Sequence, residues 1–330
     1  MAIATGMTTP QRRVLRVSPL DIDEARKRLK GLVFRTPLVP LNLEDSQADI
    51  YLKLENLQPT GSFKVRGAGN AIELLSTEQR AKGVYTCSGG NMAQALAWHA
   101  QRHHIPCTAI VPDTAAETKL TGIRRYGAGI IQVPFEEVWK VATDHVYPPL
   151  KDRVFVHPFS NAHMIAGNGT IGLEILEDLP AVEAALVPVG GGGLIAGIAG
   201  CLKGAGRVVE VYGVEPSNSA VMAASLAAGH IVEITEEETI ADAVAGGLEP
   251  GCITFSLCRE LLDGIILVEE SLIKAGMLLL LEHHQKMVEG AGALSLAGLI
   301  KDQARLGGKK VALVASGGNI SPEVFRKVVR

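Results

Sequence analysis

Lys64 stands in Pro59-Thr60-Gly61-Ser62-Phe63-Lys64, a glycine turn followed at once by an apolar-periodic stretch, which places a lysine in the first turn of a helix. A helix N-terminus is already positive, and that field lowers an ammonium's pKa and makes the amine a better nucleophile, suited to Schiff-base chemistry. A solvated first-turn lysine is the plain alternative. The company Lys64 keeps weighs against it. Gly190-Gly191-Gly192-Gly193, followed by Leu194-Ile195-Ala196, lets successive backbone N–H groups converge at a helix start, where partial positive charge favours phosphate. No Lys-Ser or Lys-Thr follows, so the loop is not of the triphosphate-binding Walker type, and a monophosphate ester fits better. A tight turn without ligand is the competing reading. Two further small-residue turns, Ser88-Gly89-Gly90-Asn91 and Ser316-Gly317-Gly318-Asn319, share this character.

Other motifs carry less chemistry. Gly167-Asn168-Gly169-Thr170-Ile171-Gly172 has the dinucleotide spacing but falls inside or at the start of a predicted helix, not on a strand-to-helix turn, and reads as a helix-packing motif. His99 and His103 are four apart on a predicted helix without the glutamate of H-E-x-x-H, and His283-His284 point to different faces; both pairs read as surface or helix-end histidines, not metal ligands. No Gly-x-Ser-x-Gly elbow occurs.

These turns need a scaffold, and the chain supplies one. Short β-rich runs at 50–54, 84–86, 108–111, 130–133, 154–156, 185–189, 208–214, 265–268 and 311–315 alternate with helical patterns at 63–75, 91–101, 117–126, 136–146, 164–176, 194–202, 271–284 and 291–304. That alternation predicts parallel sheets covered on both faces, with ligands beyond the carboxyl ends of the strands. Ser18-Pro19 with Asp21 predicts a capped helix start. At 330 residues the chain exceeds the size of one core, so two lobes are expected. Its 20% charged residues and net charge of -3 exclude a nucleic-acid partner by field, and 36 glycines, about 11% against roughly 7% on average, need turns to occupy. The five cysteines lack any C-x-x-C pair and suit buried thiols in a reducing, cytoplasmic setting. Residues 184–202 are uncharged but hold Pro188 and four glycines, so they read as strand, loop and helix start, not a membrane span. Arg12, Arg13 and Arg16 faintly suggest a transit peptide, but no apolar region follows.

Leu54-Glu55-Asn56-Leu57-Gln58-Pro59-Thr60-Gly61-Ser62-Phe63-Lys64-Val65-Arg66-Gly67-Ala68, the Ser88 turn, Gly190 to Leu194, Val214-Glu215-Pro216 and the Ser316 turn occur in family order across nearly the whole chain. Together they resemble the pyridoxal-phosphate enzymes of fold type II, the threonine/serine dehydratase and serine racemase group. The resemblance implies two three-layer α/β domains with twisted, mostly parallel sheets: residues 1–82 and 158–330 binding pyridoxal 5'-phosphate, and a small mobile domain, 83–157, closing over an amino-acid substrate. It implies that Lys64 holds the cofactor as a Schiff base and, once released, removes the α-proton. Phe63 lies against a ring face, Asn91 binds the 3-hydroxyl, Gly190, Gly191, Gly192, Gly193 and Leu194 cradle the phosphate, and Ser316 meets the pyridine nitrogen. Ser88, Gly89, Gly90, Asn91 and Met92 hold the substrate carboxylate. A homodimer or larger assembly is implied too.

The departures bear on the reaction. A hydroxyl facing the ring nitrogen mutes the electron sink and favours β-elimination over transamination. The serine that racemases place after the first serine of this turn is Gly89 here, which carries no proton and favours dehydration to a 2-oxo acid and ammonia. Met92 replaces the usual histidine, and residues 241–251 differ from the common dehydratase form, which extends the expected substrate to a bulkier β-hydroxy amino acid such as phenylserine. The family's cation site uses Glu215 and a later aspartate, at about Val221 here, so a weakened or absent metal site is expected. After the last glycine turn no room is left for the regulatory domain of long biosynthetic dehydratases. Racemisation or β-replacement are the rival enzyme readings, and a catalytically silent small-molecule binding protein is the rival from another class.

Overall fold

The computed structural model describes residues 17–41, 43, 46 and 48–328; Arg12, Arg13 and Arg16 lie outside them. Among the described residues ten strands form two sheets: β1 (Leu38–Pro40), β2 (Asp49–Leu54), β3 (Val84–Cys87), β4 (Cys107–Pro112), β5 (Gly129–Val133), β6 (Val154–Phe155), β7 (Ala184–Pro188), β8 (Glu210–Pro216), β9 (Gly264–Val268) and β10 (Lys310–Ala315). The larger sheet runs β1-β2-β10-β7-β8-β9 and the smaller β5-β4-β3-β6. Every pairing is parallel except β1 with β2. The register of β10 sets Ala315 beside Leu54, and Leu313 beside Leu186, so the turns leaving β2, β10 and β7 emerge along one edge.

Burial on both faces explains the continuous apolar strands: all of β7 is buried, between one cluster containing Ile22, Ile165 and Ile195 and another containing Met277 and Leu294. The helix Ala162–Asp178 contains the Gly167, Gly169 and Gly172 motif, and it is a packing device. A Cβ on Gly167 would lie 2.6 Å from the Arg66 carbonyl oxygen, and one on Gly169 2.9 Å from the Gly197 oxygen. The helix that begins at Lys64 is pressed onto it and locked by buried charges. Arg66, 1% exposed, pairs with Glu55 at 2.7 Å and Glu174 at 2.6 Å, and Lys53 reaches Glu174 at 2.5 Å. Removing one partner strands an unpaired charge, at about 3–5 kcal/mol.

All nine anticipated strands are present; β1, too short to alternate and ending in Pro40, was not anticipated. Helices Thr77–Lys82, Val221–Ala228, Ile253–Leu261 and Pro322–Val328 add to those expected. Val221–Ala228 is almost all small or apolar residues without a polar face, so no period marks it. Ser18 caps Pro19–Leu29 in a reciprocal box with Asp21. His99 corrects an expectation: it is not at the surface but wholly buried, its Nε2 2.8 Å from the Val65 carbonyl, filling the room left by the missing side chain of Gly69. The five cysteines are free thiols, four of them buried. Among the described residues no helix is long and apolar enough to cross a membrane.

Candidate active site

β2 ends at Leu54, and the chain then turns through Gly61, whose φ of +72° and close approach to the Asn319 amide leave no place for a side chain. A bridge pairs Ser62 with Gly317, the Phe63 N–H donates to the Ser316 carbonyl at 3.0 Å, and the Gly318 N–H donates to the Gly61 carbonyl at 2.8 Å. The two turns are stitched together before the helix Lys64–Glu73 begins. Lys64 Nζ donates to the Pro158 carbonyl at 2.6 Å and stands 5.3 Å from the Phe63 ring centre. The lysine is partly accessible, but what it faces is a cavity and not bulk water. Enclosure lowers its pKa from 10.5 to about 8. Desolvation by burial lowers it, in the same direction as the field of the helix start.

The glycine run leaves β7 with Gly192 in the left-handed region at φ +78° and starts the helix Gly193–Gly204. A Cβ on Gly190 would meet the Val244 backbone at 2.5 Å, one on Gly191 would enter the Phe159 ring, and one on Gly193 would lie 3.0 Å from the Phe159 oxygen. N–H groups in a helix's first turn have no intrahelical acceptor, so this bare backbone could hold an anion. A chamber of about 50 Å³ there is lined by these glycines, Leu194, Phe63, Asn91 and Ser316. Ser316 is 3% exposed and its Oγ donates to the Ala291 carbonyl at 3.3 Å.

The Ser88 turn follows β3 and opens the helix Asn91–Arg102. It lines a cavity of about 550 Å³ together with Lys64, Gly89, Gly90, Asn91 and Met92. The Gly90 N–H donates to Ser88 Oγ at 3.2 Å. Met92, 1% exposed, is also part of the core between the Lys64 and Asn91 helices. The Asn91 amide is oriented from two sides: its Nδ2 donates to Glu289 Oε1 at 2.7 Å, and its Oδ1 accepts from Asn319 Nδ2 at 2.8 Å. One amide hydrogen stays available. Glu289, absent from the sequence reading, lines both cavities, and burial pushes its carboxyl up to about 7. Its only local signal is an acid before the small-residue run Gly290-Ala291-Gly292. Pro158 contributes a backbone carbonyl, which no residue type announces.

Glu215 does not fit a divalent cation. Each of its oxygens already accepts a backbone N–H, Met222 at 3.0 Å and Ala223 at 2.8 Å, burial favours its neutral carboxyl, and the Val221 side chain offers no ligand atom. Ser219 Oγ turns instead to Glu236 at 2.9 Å. A cradle that any Cβ would fill, a desolvated lysine and polar groups on a small adjoining chamber do fit pyridoxal phosphate.

A bare glycine turn after β7 and a lysine turn after β2, on the same edge of a doubly covered parallel sheet with β10 between them, define a fold type II pyridoxal-phosphate enzyme. The chain belongs to that family: residues 29–317 match the model described as pyridoxal-phosphate dependent enzyme. It is 43% identical over 313 residues to an L-threonine ammonia-lyase of Thermotoga maritima, covering 94% of this chain and 77% of the relative. It is 38% identical over 304 residues to the catabolic L-threonine dehydratase TdcB of Escherichia coli K12, covering 91% and 92%. Among solved structures, maize serine racemase aligns with a TM-score of 0.86 at 32% identity over 94% of this chain and 96% of the other. A threonine deaminase from T.th. aligns with a TM-score of 0.85 at 35% identity over 92% and 99%.

Proposed function

We propose that the protein is a lyase that converts a β-hydroxy-α-amino acid into a 2-oxo acid and ammonia by α,β-elimination. The observation that carries this reading is Lys64 Nζ enclosed beside a turn whose second residue, Gly89, has no side chain. Bound at Lys64, pyridoxal phosphate draws electrons from the α-carbon of an attached amino acid and so weakens its C–H bond. The protein supplies the rest. Gly190, Gly191, Gly192, Gly193 and Leu194 hold the phosphate on bare backbone, Phe63 abuts the ring, Ser316 faces its nitrogen, and Asn91 keeps its free amide hydrogen for the 3-hydroxyl. Backbone donors of Ser88 through Met92 take the substrate carboxylate. Lys64, its pKa lowered to about 8, reaches the free-amine form that removes the α-proton far more readily than an exposed lysine would. No group at Gly89 returns a proton to the other face, so the β-hydroxyl leaves instead, taking up a proton that balances the one lost from the α-carbon and departing as water. The enamine that remains tautomerises to an imine, which takes up one water to give the 2-oxo acid and ammonia.

Residues 83–157 form the unit that carries the substrate turn, and its closure over the cleft belongs to the same proposal. The relatives named for threonine support a threonine- or serine-like substrate. A bulkier β-substituent, such as the aryl group of phenylserine, is supported by the cavity's apolar wall of Phe135, Val138, Trp139 and Ala142. The test combines borohydride reduction with mass spectrometry at Lys64 and 2-oxo acid release from threonine, serine and phenylserine. A reduced adduct with 2-oxo acid formation is expected. Product of opposite configuration without 2-oxo acid would instead support a racemase, and turnover of threonine or serine far above phenylserine would remove the aryl extension.

A further inference from the structure

His145, His157 and Glu249 bring ligand-type atoms within 4.8 Å of one another, and the chemistry above uses none of them. They come from three segments: the end of the helix Phe135–Asp144, the turn after β6, and the loop before Ile253–Leu261. His157 and Glu249 are 2% and 1% exposed. His157 Nε2 and both Glu249 carboxyl oxygens have no hydrogen-bond partner among the described residues, and Nε2 lies 3.6 Å from Oε1. Such orphaned buried atoms demand an explanation.

A metal ion is the obvious tenant, and His157 cannot receive it. Its Nδ1 accepts the backbone N–H of Ser160 at 2.8 Å and of Phe159 at 3.2 Å. Burial, with His145 and Lys64 nearby, holds the ring's pKa down to about 3, so it is neutral and its single proton sits on Nε2. That nitrogen has no lone pair for a metal. It faces the Glu249 carboxyl at 3.6 Å, an electrostatic distance longer than a hydrogen bond.

The same two hydrogen bonds reach Lys64. Pro158, between His157 and Phe159, has no N–H, so the N–H groups of the 157–160 turn that anchor it are those of Phe159 and Ser160, both on His157 Nδ1. Between them the Pro158 carbonyl is presented to Lys64 Nζ at 2.6 Å. The turn's next residue is the wall of the phosphate cradle: Phe159 packs against Gly191 and Gly193, its ring 4.6 Å from that of His157 and edge-on to it. Ser160 Oγ accepts the Ile253 N–H at 3.2 Å, tying the turn to the segment that carries Glu249.

We propose that His157, oriented by Glu249, is a positioning residue for Lys64: Nδ1 folds the turn that aims the Pro158 carbonyl at Nζ, and Nε2–H is directed at the Glu249 carboxyl. This rests on the reading of Lys64 as the cofactor-bearing residue. The test uses purified holoenzyme and the variants His157→Ala, His157→Asn, Glu249→Leu and Glu249→Gln. It measures kcat, KM, and the rate at which hydroxylamine releases the cofactor, followed by visible absorbance. Misplacing Nζ in His157→Ala lowers kcat by about 30-fold, keeps KM within about threefold, and speeds release by a similar factor of roughly 30. His157→Asn recovers most of both losses, because its Oδ1 can accept the same two N–H groups. Glu249→Leu shows a loss of about fivefold that Glu249→Gln recovers, since an amide oxygen keeps negative partial charge facing Nε2–H. Wild-type kcat and release rate in His157→Ala would overturn the proposal, and so would His157→Asn as impaired as His157→Ala, which would make the ring mere packing. Zinc binding to the wild-type holoenzyme that is lost in Glu249→Leu would overturn the proton assignment. A wild-type protein without a borohydride-reducible adduct at Lys64 would fail at the earlier step and take both readings with it.

Discussion

At Gly190, Gly191 and Gly193 an added Cβ would strike the Val244 backbone, the Phe159 ring and the Phe159 backbone, whereas at Gly89 the nearest atom would be Ala115 Cβ at 3.7 Å and at Gly90 nothing lies within 4 Å. Both turns read as glycine-rich in sequence, but for different reasons. On the proposed phosphate side glycine is compelled by packing, because neighbours crowd the backbone from behind. On the proposed substrate side there is room for a side chain, and under the proposed reaction its absence withholds a proton donor.

The sharpest break in this comparison is at the lysine between the turns. Lys64→Ala leaves the cradle intact and removes both the covalent anchor and the base, so turnover should fall by ~10⁴-fold or more while phosphate-side binding of pyridoxal phosphate persists; steady-state kinetics with visible spectroscopy measure both. Gly191→Ala comes next. The methyl must displace Phe159, at about 2 kcal/mol, or roughly 30-fold in cofactor Kd, read by equilibrium titration of the cofactor-free protein. Gly89→Ser should be accepted sterically, keep elimination within about tenfold, and add exchange of the α-proton and accumulation of the other enantiomer. Deuterium incorporation and chiral chromatography detect this, with Gly89→Ala as the control that adds bulk but no proton. If Gly89→Ser only loses activity, the substrate side is as crowded in effect as the phosphate side.

The smallest effect tests the support beneath the cradle. Gly192 abuts Met222, and Met222 begins the helix turn that Glu215 caps. Burial raises the Glu215 carboxyl from 4.5 to about 8, outweighing its two N–H bonds. The folded state therefore holds this proton more tightly than the unfolded chain, so its contribution is complete below about pH 4.5 and is lost as pH rises through about 8. Glu215→Gln should flatten the decline in chemical-denaturation stability between pH 5 and 9 by roughly 1–2 kcal/mol. An unchanged slope would assign the decline to other groups.

Lys64 and the glycine turns were legible because each is local: a few consecutive residues fix backbone exposure and the start of a helix. Nine strands were legible for the same reason: burial on both faces writes continuous apolar runs in β7, β8 and β10, and the partly exposed β5, β6 and β9 still carry short β-branched or aromatic runs. Glu289, Pro158, His157 and Glu249 were not. Glu289 meets Asn91 across 198 positions, and Pro158 acts through a carbonyl that every residue possesses. His99 was misread because its burial depends on Gly69, a partner 30 residues earlier on another helix. The polar helix Thr77–Lys82, with no buried residue, shows no apolar stripe even though Ser76 and Gln79 form a capping box.

The strand order carries a consequence for how the molecule is made. β10 lies between β2 and β7, and the Ser316 turn that follows it is bridged to the turn carrying Lys64. Until residues 310–317 leave the ribosome, β2 has no parallel neighbour, the larger sheet is two separate pieces with bare inner edges, and the cofactor site lacks one wall. Long-range pairing of this kind is slow and leaves strand edges open to other chains. Completion of the sheet and completion of the site are thus a single event, and a nascent chain stalled short of it holds most of its catalytic residues and no active site.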